Sequence, residues 1–337
     1  MVRVKDSRFR EGGPRDGASC CESMNHVLLI GAGFSRNWGG CLAREFRGRL
    51  LRLLPEEDLN KLLRDTPNFE DALSRVQADY KQNKSDANKQ RLYKVQSAIL
   101  KVFEGMTKGF VERGHIEFLN HKQFSVIEFL SRFHAIFSLN QDLLLELYYD
   151  PQLCDKKKFP GAYWPGMQVP HNFRGAPPYE KPTFTWHPTP EFKLEKNLQP
   201  IYKLHGSANW RDDAGEILVM GGAKEAMISE KRILSWYREE FERILMMPET
   251  RLMVIGYSFC DQHIDRVIYD AWKNRGLRMF MVHPRGLEVL VRQTPNQIRV
   301  PDPLTEIPSL GESLRPLHTT FAGDADELGN LLNFFEG

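Results

Sequence analysis

Short apolar runs that end in glycine or small polar residues constrain the fold of this chain most strongly. The first is HVLLIGAGFS, residues 26–35, and the segment CLAREFRGRLLRLL after it has apolar residues at helical spacing. Similar runs occur at HAIFSL (134–139), IYKLHG (201–206), EILVMGG, RLMVIGYSF and LRMFMVHP, and helical patterns such as ISEKRILSWYREEFERILMM lie between them. This alternation predicts an α/β fold with a doubly wound, parallel, Rossmann-like sheet.

The chain is long enough for one α/β core that carries insertions. Residues 1–25 mix charge, Gly and Pro without periodicity, which predicts a flexible N-terminal arm. Apolar residues recur every three or four positions in much of 56–132, and Pro, Gly and aromatic residues are frequent in 151–200. The other expected divisions are therefore a core at 26–55 and 133–290, a helical insertion at 56–132, a loop insertion at 151–200 within the core and a C-terminal extension at 291–337.

Charge and cysteine content exclude several classes of protein. The net charge of +2 provides no overall attraction to nucleic acid, so we expect no direct nucleic-acid binding. No apolar run approaches the roughly 18 residues that span a bilayer, and the first residues lack the apolar centre of a signal peptide, so we expect a cytoplasmic protein. The five cysteines contain no CxxC pair, which predicts no zinc module, no bound metal, and no effect of chelators on fold or activity.

The first motif that could carry chemistry ends the first apolar run. Glycines at the end of a strand let the backbone approach a phosphate, and the amides of the next helix face its negative charge. A tight turn between strand and helix would use the same glycines. We expect the residues of this motif to bind the ligand; they are Gly31, Ala32, Gly33, Phe34 and Ser35.

The second motif, SLNQD, follows the second strong strand. In open α/β sheets, ligands bind at the carboxyl ends of the strands. Asn140 can donate and accept hydrogen bonds, and Asp142 can orient Asn140 or a ribose hydroxyl. Both residue types are also common as helix caps, so capping is an alternative.

The third motif, KLHGS, places His205 at another strand end beside Gly206 and Ser207, which we expect to bind the ligand. A single histidine is often a structural residue, but its position on the same sheet edge as Asn140 favours a role at a ligand site.

The fourth motif is GYSFCDQH, at the end of a further apolar strand. Gly256 and Ser258 could bind ribose or phosphate. Asp261 could bind the ligand, cap the following helix, or do both. His263 lies in the first turn of that helix and could face solvent.

Taken in order, GAGFS, LNQD, KLHGS and GYSFCDQH resemble the sirtuin superfamily, in particular its divergent bacterial branch of NAD⁺ hydrolases in antiphage defence. The resemblance covers residues 26 to about 285. It implies that Gly31, Gly33 and Ser35 hold the pyrophosphate and the nicotinamide ribose. It further implies that Asn140 and Asp142 serve the nicotinamide pocket and the ribose, and that His205 contacts the ribose.

The chain departs from the deacetylating sirtuins in three respects. It has no cysteine spacing for their four-cysteine zinc module, which helps to form the acyl-lysine groove. The segment RNWGGCLAREF replaces their GIPDFR-like loop, and LNQD replaces QNID. The resemblance therefore implies a retained NAD⁺ site, with catalytic residues Asn140, Asp142 and His205, and no conventional peptide site.

The expected activity is hydrolysis of NAD⁺ to nicotinamide and ADP-ribose. A protein deacylase, an ADP-ribosyltransferase, and a non-catalytic module that senses NAD⁺ or ADP-ribose remain alternatives. An NAD⁺ hydrolase needs a gate, so we expect a homo-oligomer and a separate trigger; for such short proteins the resemblance suggests a HerA-type ATPase or another defence partner. Val95, Ile99, Leu100 and Phe103 could either pack in the core or form contacts between subunits.

Overall fold

The computed structural model describes residues 24–66, 68–114, 125–154, 158–173, 175–177, 179–293 and 299–336. The expected N-terminal arm lies outside the described residues, apart from its last two positions.

Thirteen strands are found in the described part of the chain. They are β1 (Asn25–Ile30), β2 (Ala135–Ser138), β3 (Ala162–Tyr163), β4 (Met167–Gln168), β5 (His187–Pro188), β6 (Gln199–Lys203), β7 (Gly206–Asp212), β8 (Gly215–Leu218), β9 (Thr250–Ile255), β10 (Arg278–Val282), β11 (Val291–Gln293), β12 (Arg299–Pro301) and β13 (Ser309–Ser313).

The same described ranges contain twelve α-helices. They are α1 (Ala32–Arg36), α2 (Ala43–Leu53), α3 (Glu57–Asp65), α4 (Phe69–Gln82), α5 (Asp86–Gly109), α6 (Val126–Ser131), α7 (Leu144–Tyr148), α8 (Lys224–Glu230), α9 (Arg232–Leu245), α10 (Gln262–Arg275), α11 (Leu317–Phe321) and α12 (Ala325–Leu332). A π-helical turn, Phe110–Gly114, continues α5.

A seven-stranded sheet in the order β13-β10-β9-β1-β2-β6-β3 forms the centre of the molecule. All its neighbouring strands run parallel. The chain continues from β1 to β2 on one side and later returns to β9 on the other, so the connections diverge between β1 and β9. Such a switch point opens a crevice at the carboxyl ends of the two strands. The predicted α/β fold with a parallel, Rossmann-like sheet is confirmed.

The apolar runs form the most deeply buried strands. Every residue of β1 and of β9 is buried, which explains why neither sequence alternates between polar and apolar residues. Layers on both faces of a parallel sheet exclude water from it, so continuous apolar runs are the pattern that such strands require.

Two predicted elements differ in detail from the structure. The helix expected at ISEKRILSWYREEFERILMM is divided into α8 and α9, because Lys231 between them has an extended backbone with φ −105° and ψ 104°. The strand expected at EILVMGG forms as β8, but it pairs antiparallel with β7 and lies outside the central sheet. A tight turn ending at Gly215, where φ is +118°, reverses the chain before a crossover can form.

The last part of the chain also packs into the core. Strand β13 pairs with β10 at one edge of the central sheet, although it belongs to the segment expected as a C-terminal extension. The helices α3, α4 and α5 lie within 56–132, and Val95, Ile99 and Phe103 on α5 are buried in the core. Those three side chains therefore pack within the chain. The domain boundaries themselves remain predictions.

Within the residues that the structure describes, none of the helices combines the length and the apolar character needed to cross a membrane.

Candidate active site

The loops after β1 and β9 meet at the switch point. The backbone N–H of Gly31 donates to the carbonyl of Ile255, and that of Gly33 donates to the carbonyl of Gly256, both at 2.9 Å. A Cβ on Gly33 would lie 2.6 Å from the Cα of Gly256, where φ is +64°. The glycines are needed because two backbones touch here, and the same loops line the cleft beside them.

The residues of the glycine loop have separate places in the structure. Gly31, Ala32 and Gly33 line the cleft. Ser35 is buried beneath them, and the ring of Phe34 packs against Trp38 with a centroid distance of 5.1 Å. The side chain of Phe34 therefore belongs to the core, although we expected it at the ligand; its size and apolar character favour burial.

Asn140 connects the second motif to the glycine loop. Its side-chain Nδ2 donates to the carbonyl of Gly31 and to the hydroxyl of Ser35, both at 2.9 Å. Both bonds cross from the end of β2 to the end of β1. Since the two N–H groups are used there, the amide oxygen is the atom through which Asn140 can accept a hydrogen bond from a ligand.

Asp142 has a structural role that Asn140 does not have. Its Oδ1 accepts a hydrogen bond from the backbone N–H of Leu144, the first residue of α7, at 3.1 Å. The hydroxyl of Ser35 also donates to this carboxylate. Burial raises the pKa of Asp142, and the charge of Lys203 opposes that rise. Asp142 thus contacts the start of α7 without being its N-cap, which is Leu143, while Asn140 makes its bonds to the glycine loop.

A buried ion pair lies beneath this network. The ammonium of Lys203 donates to the carboxylate of Glu146 at 2.6 Å, to the hydroxyl of Ser207 at 2.8 Å, and to the backbone carbonyl of Asp142. Lys203 and Glu146 are almost completely buried. The group fixes β6, α7 and the LNQD loop to one another. Sequence reasoning missed it, although a lysine inside the apolar strand IYKLHG was a usable signal.

Gly206 and Ser207 hold the fold beneath the cleft. Gly206 has φ +76°, and a Cβ there would lie 1.9 Å from the carbonyl oxygen of Ile217 on β8. Ser207 is fully buried in the ion-pair group. The cleft lining includes neither residue, although we expected both to bind the cofactor.

His205 lies at the end of β6 with 2% of its surface exposed. Its Nε2 is 3.1 Å from Nε2 of His263, a residue that we had not assigned to the site. The ring also makes a hydrogen bond to the backbone carbonyl of Leu139. Burial lowers the pKa of His205 to about 3, so the imidazole is neutral near pH 7 and can accept a proton.

Asp261 and Ser258 line the cleft beside His205. Asp261 stands at the N-cap position of α10, yet its side chain makes no capping hydrogen bond. It instead pairs with Lys224 at 2.6 Å, and Lys224 also pairs with Glu70 at 3.0 Å. Burial raises the pKa of Asp261, but electrostatic interactions with His205 and with the ammonium of Lys224 outweigh burial and lower it. Asp261 therefore lines the cleft, where it could contact a ligand, but its side chain does not cap α10.

The described residues include one group that could hold a metal ion. It consists of His205, Asp261 and His263, whose ligand atoms all lie within 4.8 Å of one another. The expectation of no bound metal rests on cysteine spacing and remains a prediction.

These loops form the floor of a cleft with a volume of about 1510 Å³. Asn68 and Phe103 contribute to one wall from the helical segment, and Arg315 and His318 contribute to another from the C-terminal segment. Ligand sites commonly enclose about 300–1,000 Å³, so the cleft has room for a dinucleotide and for water or a second reactant.

The motifs with sirtuin-like spacing thus meet at one switch-point cleft. Residues 134–299 match the family described as the SIR2-like domain. This match shows that the region from residue 134 to residue 299 is similar to SIR2-like domains. Members of SIR2-like families are NAD⁺-dependent enzymes, so the SIR2-like region indicates an activity related to NAD⁺. Among curated proteins, none matches the chain.

Proposed function

We propose that this SIR2-like protein is an NAD⁺ glycohydrolase. It cleaves the bond between nicotinamide and ribose and releases nicotinamide and ADP-ribose. The observation that carries the proposal is the meeting of Asn140 and His205 at the cleft beside the glycine loop. An amide anchored by two hydrogen bonds and a neutral imidazole supply an orienting group and a base at one place.

The chemistry of the bond suits such a site. The nicotinamide of NAD⁺ already carries a positive charge, so it leaves without a strong acid and the ribose becomes oxocarbenium-like. The protein must position the ribose, stabilise its developing charge and hold a water molecule at the exposed face. None of these tasks requires a residue with unusual acidity.

The side chains divide these tasks. The amide oxygen of Asn140 orients the attacking water or the carboxamide of nicotinamide. Nε2 of His205 accepts a hydrogen bond from a ribose hydroxyl, which replaces its contact with His263, and the ring acts as a weak base, since burial keeps it neutral. Asp142 acts through Ser35, which it holds against Asn140. The backbone of the glycine loop at Gly31 and Gly33 lines the cleft and faces the pyrophosphate.

The biological role in this proposal is NAD⁺ depletion during antiphage defence in the cytoplasm. Uncontrolled hydrolysis would remove the host's own NAD⁺, so the activity is gated by a homo-oligomer and a partner, such as a HerA-like ATPase. The support for this role is the motif resemblance to bacterial NAD⁺ hydrolases. Light scattering tests the oligomer, and a monomer at micromolar concentration would contradict it.

One experiment separates the proposed activity from its alternatives. The purified chain is incubated with NAD⁺, and the products are separated by chromatography, with and without an acetylated peptide. Nicotinamide with free ADP-ribose supports hydrolysis. Products that form only with the peptide indicate deacylation, and ADP-ribose attached to protein indicates transfer, for which the wide cleft has space.

The gate requires a second arm of the same experiment. Nucleic acid and a candidate partner ATPase are added to the reaction, and turnover is compared with that of the isolated chain. Full turnover by the isolated chain, unchanged by these additions, would exclude the gate. NAD⁺ binding without any product under every condition would instead identify a sensing module.

A further inference from the structure

We infer that His205, His263 and Asp261 form a binding site for a divalent transition-metal ion such as Zn²⁺, and that this ion competes with the nucleotide. The group lies inside the cleft, where all three residues reach the lining.

The separation of the two imidazole nitrogens is suitable for a shared ion. Nε2 of His205 and Nε2 of His263 are 3.1 Å apart. Zinc–nitrogen bonds of about 2.0–2.1 Å would place an ion between them with an N–Zn–N angle of about 100°, near the tetrahedral value. The Asp261 carboxylate lies within 4.8 Å, and a rotation of its side chain toward the tetrahedral ligand spacing of about 3.3 Å completes a three-residue set.

The surroundings of His205 favour a ligand role for its Nε2. Since Nε2 faces His263, we assign the hydrogen bond with the backbone of Leu139 to Nδ1. With this assignment the proton is on Nδ1, and the Nε2 lone pair is directed toward His263. Histidines that bind metals commonly donate their other N–H to a backbone carbonyl in this way.

The net charge of the side chains around the group is compatible with a bound cation. Lys224 pairs with both Asp261 and Glu70, so one ammonium lies between two carboxylates. With neutral histidines, these three side chains carry a net charge of −1. An ion with two positive charges therefore changes the local net charge only from −1 to +1. Lys224 contacts one carboxylate oxygen of Asp261, so the second oxygen remains available to the ion.

The ligand types select the class of ion. Imidazole nitrogen suits zinc, copper, nickel and iron, whereas magnesium prefers oxygen ligands and keeps its water. Three protein ligands beside an open cleft leave a coordination position for water or another small ligand.

The effect on NAD⁺ rests on the proposed function. A metal ion on Nε2, together with the Leu139 bond on Nδ1, would occupy both ring nitrogens of His205. The ring could then no longer accept a hydrogen bond from the ribose, so a bound ion inhibits hydrolysis.

Direct binding of the metal alone tests the site without any enzymatic assay. Zn²⁺ is titrated calorimetrically into the full chain without an affinity tag, Co²⁺ absorption spectra report the coordination, and Mg²⁺ serves as the control ion. His263→Ala should weaken Zn²⁺ binding more than about tenfold. His283→Ala removes another histidine of the same cleft and should bind as the wild type does.

The variants decide the outcome because the chain has 10 histidines and 5 cysteines. Equal Zn²⁺ affinity in wild type and His263→Ala would overturn the site, and the two imidazoles would then share only a hydrogen bond. A correctly folded His263→Ala is verified by its thermal transition, and Asp261→Asn provides a second variant that should also bind more weakly.

The turnover assay separates the two proposals. Zn²⁺ should inhibit NAD⁺ hydrolysis by the wild type, and any activity of His263→Ala should no longer respond to Zn²⁺. Tight, His263-dependent metal binding without NAD⁺ turnover would retain the metal site and refute the hydrolase. NAD⁺ turnover that Zn²⁺ does not affect would refute the competition.

Discussion

The two ends of the parallel sheet both contain buried histidines, but in different surroundings. At the carboxyl end, His205 and His263 face a cleft lined by glycine loops and polar side chains. At the amino end, His26 at the start of β1 packs 5.3 Å from the ring of Phe334 and 5.2 Å from that of Phe335. The first environment leaves room for a ligand, and the second is filled by aromatic rings.

Burial keeps the histidines neutral at both ends. It is the main cause that lowers the pKa of His205 to about 3 and that of His26 to about 4. A strongly shifted pKa therefore does not by itself identify a catalytic group. Access to a cleft and a partner that fixes the ring distinguish His205 from His26.

The largest expected effect is the loss of NAD⁺ turnover at the carboxyl end alone. His205→Ala and Asn140→Ala should each lower turnover by more than about 100-fold, since each removes a group from the reacting site. His26→Phe keeps a ring at the amino end and should retain turnover. Product chromatography measures all three variants.

Folding must be measured beside turnover. An Asn140→Ala protein that unfolds would show that its two hydrogen bonds serve the fold. Unchanged turnover in His205→Ala would remove that residue from the site.

The next largest expected effect is a loss of stability when the buried ion pair beneath the carboxyl end is broken. Lys203→Met leaves the buried carboxylate of Glu146 without its cation, which should lower the free energy of unfolding by about 3–5 kcal/mol. The double variant Lys203→Met with Glu146→Leu should recover much of this loss, because it removes both charges. Urea unfolding measures the difference, and equal stability of wild type and single variant would contradict the role of the ion pair.

A smaller effect should distinguish the amino end by its pH dependence. Because the pKa of His26 is lowered to about 4, the unfolded chain binds a proton below pH 6.5 that the fold does not. The wild type should therefore lose stability relative to His26→Phe as the pH falls from 6.5 to 4. The expected loss is about 1.4 kcal/mol per pH unit at most.

Urea unfolding of both proteins at several pH values measures this difference. A stability difference that does not change with pH would show that the fold does not lower the pKa of His26. Phenylalanine is the matched replacement, since it retains the ring contacts with Phe334 and Phe335.

Local patterns predicted the elements of the fold better than their pairing. The apolar runs at β1 and β9 and the helical spacing of α2, α5 and α10 depend on neighbours in the sequence, so they were visible in it. The antiparallel partner of β8 and the place of β13 in the central sheet depend on contacts between distant segments. No pattern among neighbouring residues in the sequence specifies those contacts.

The candidate site shows the same difference between features visible in the local sequence and features set by long-range contacts. The sequence determined the fold class and the motif residues Asn140, Asp142 and His205, because strand ends in a parallel sheet share one edge. Only the tertiary structure decided that Phe34 packs in the core, that Lys203 supports the LNQD loop, and that His263 meets His205. These outcomes depend on side-chain direction, burial and charge between segments far apart in the chain, and packing in three dimensions alone fixes them.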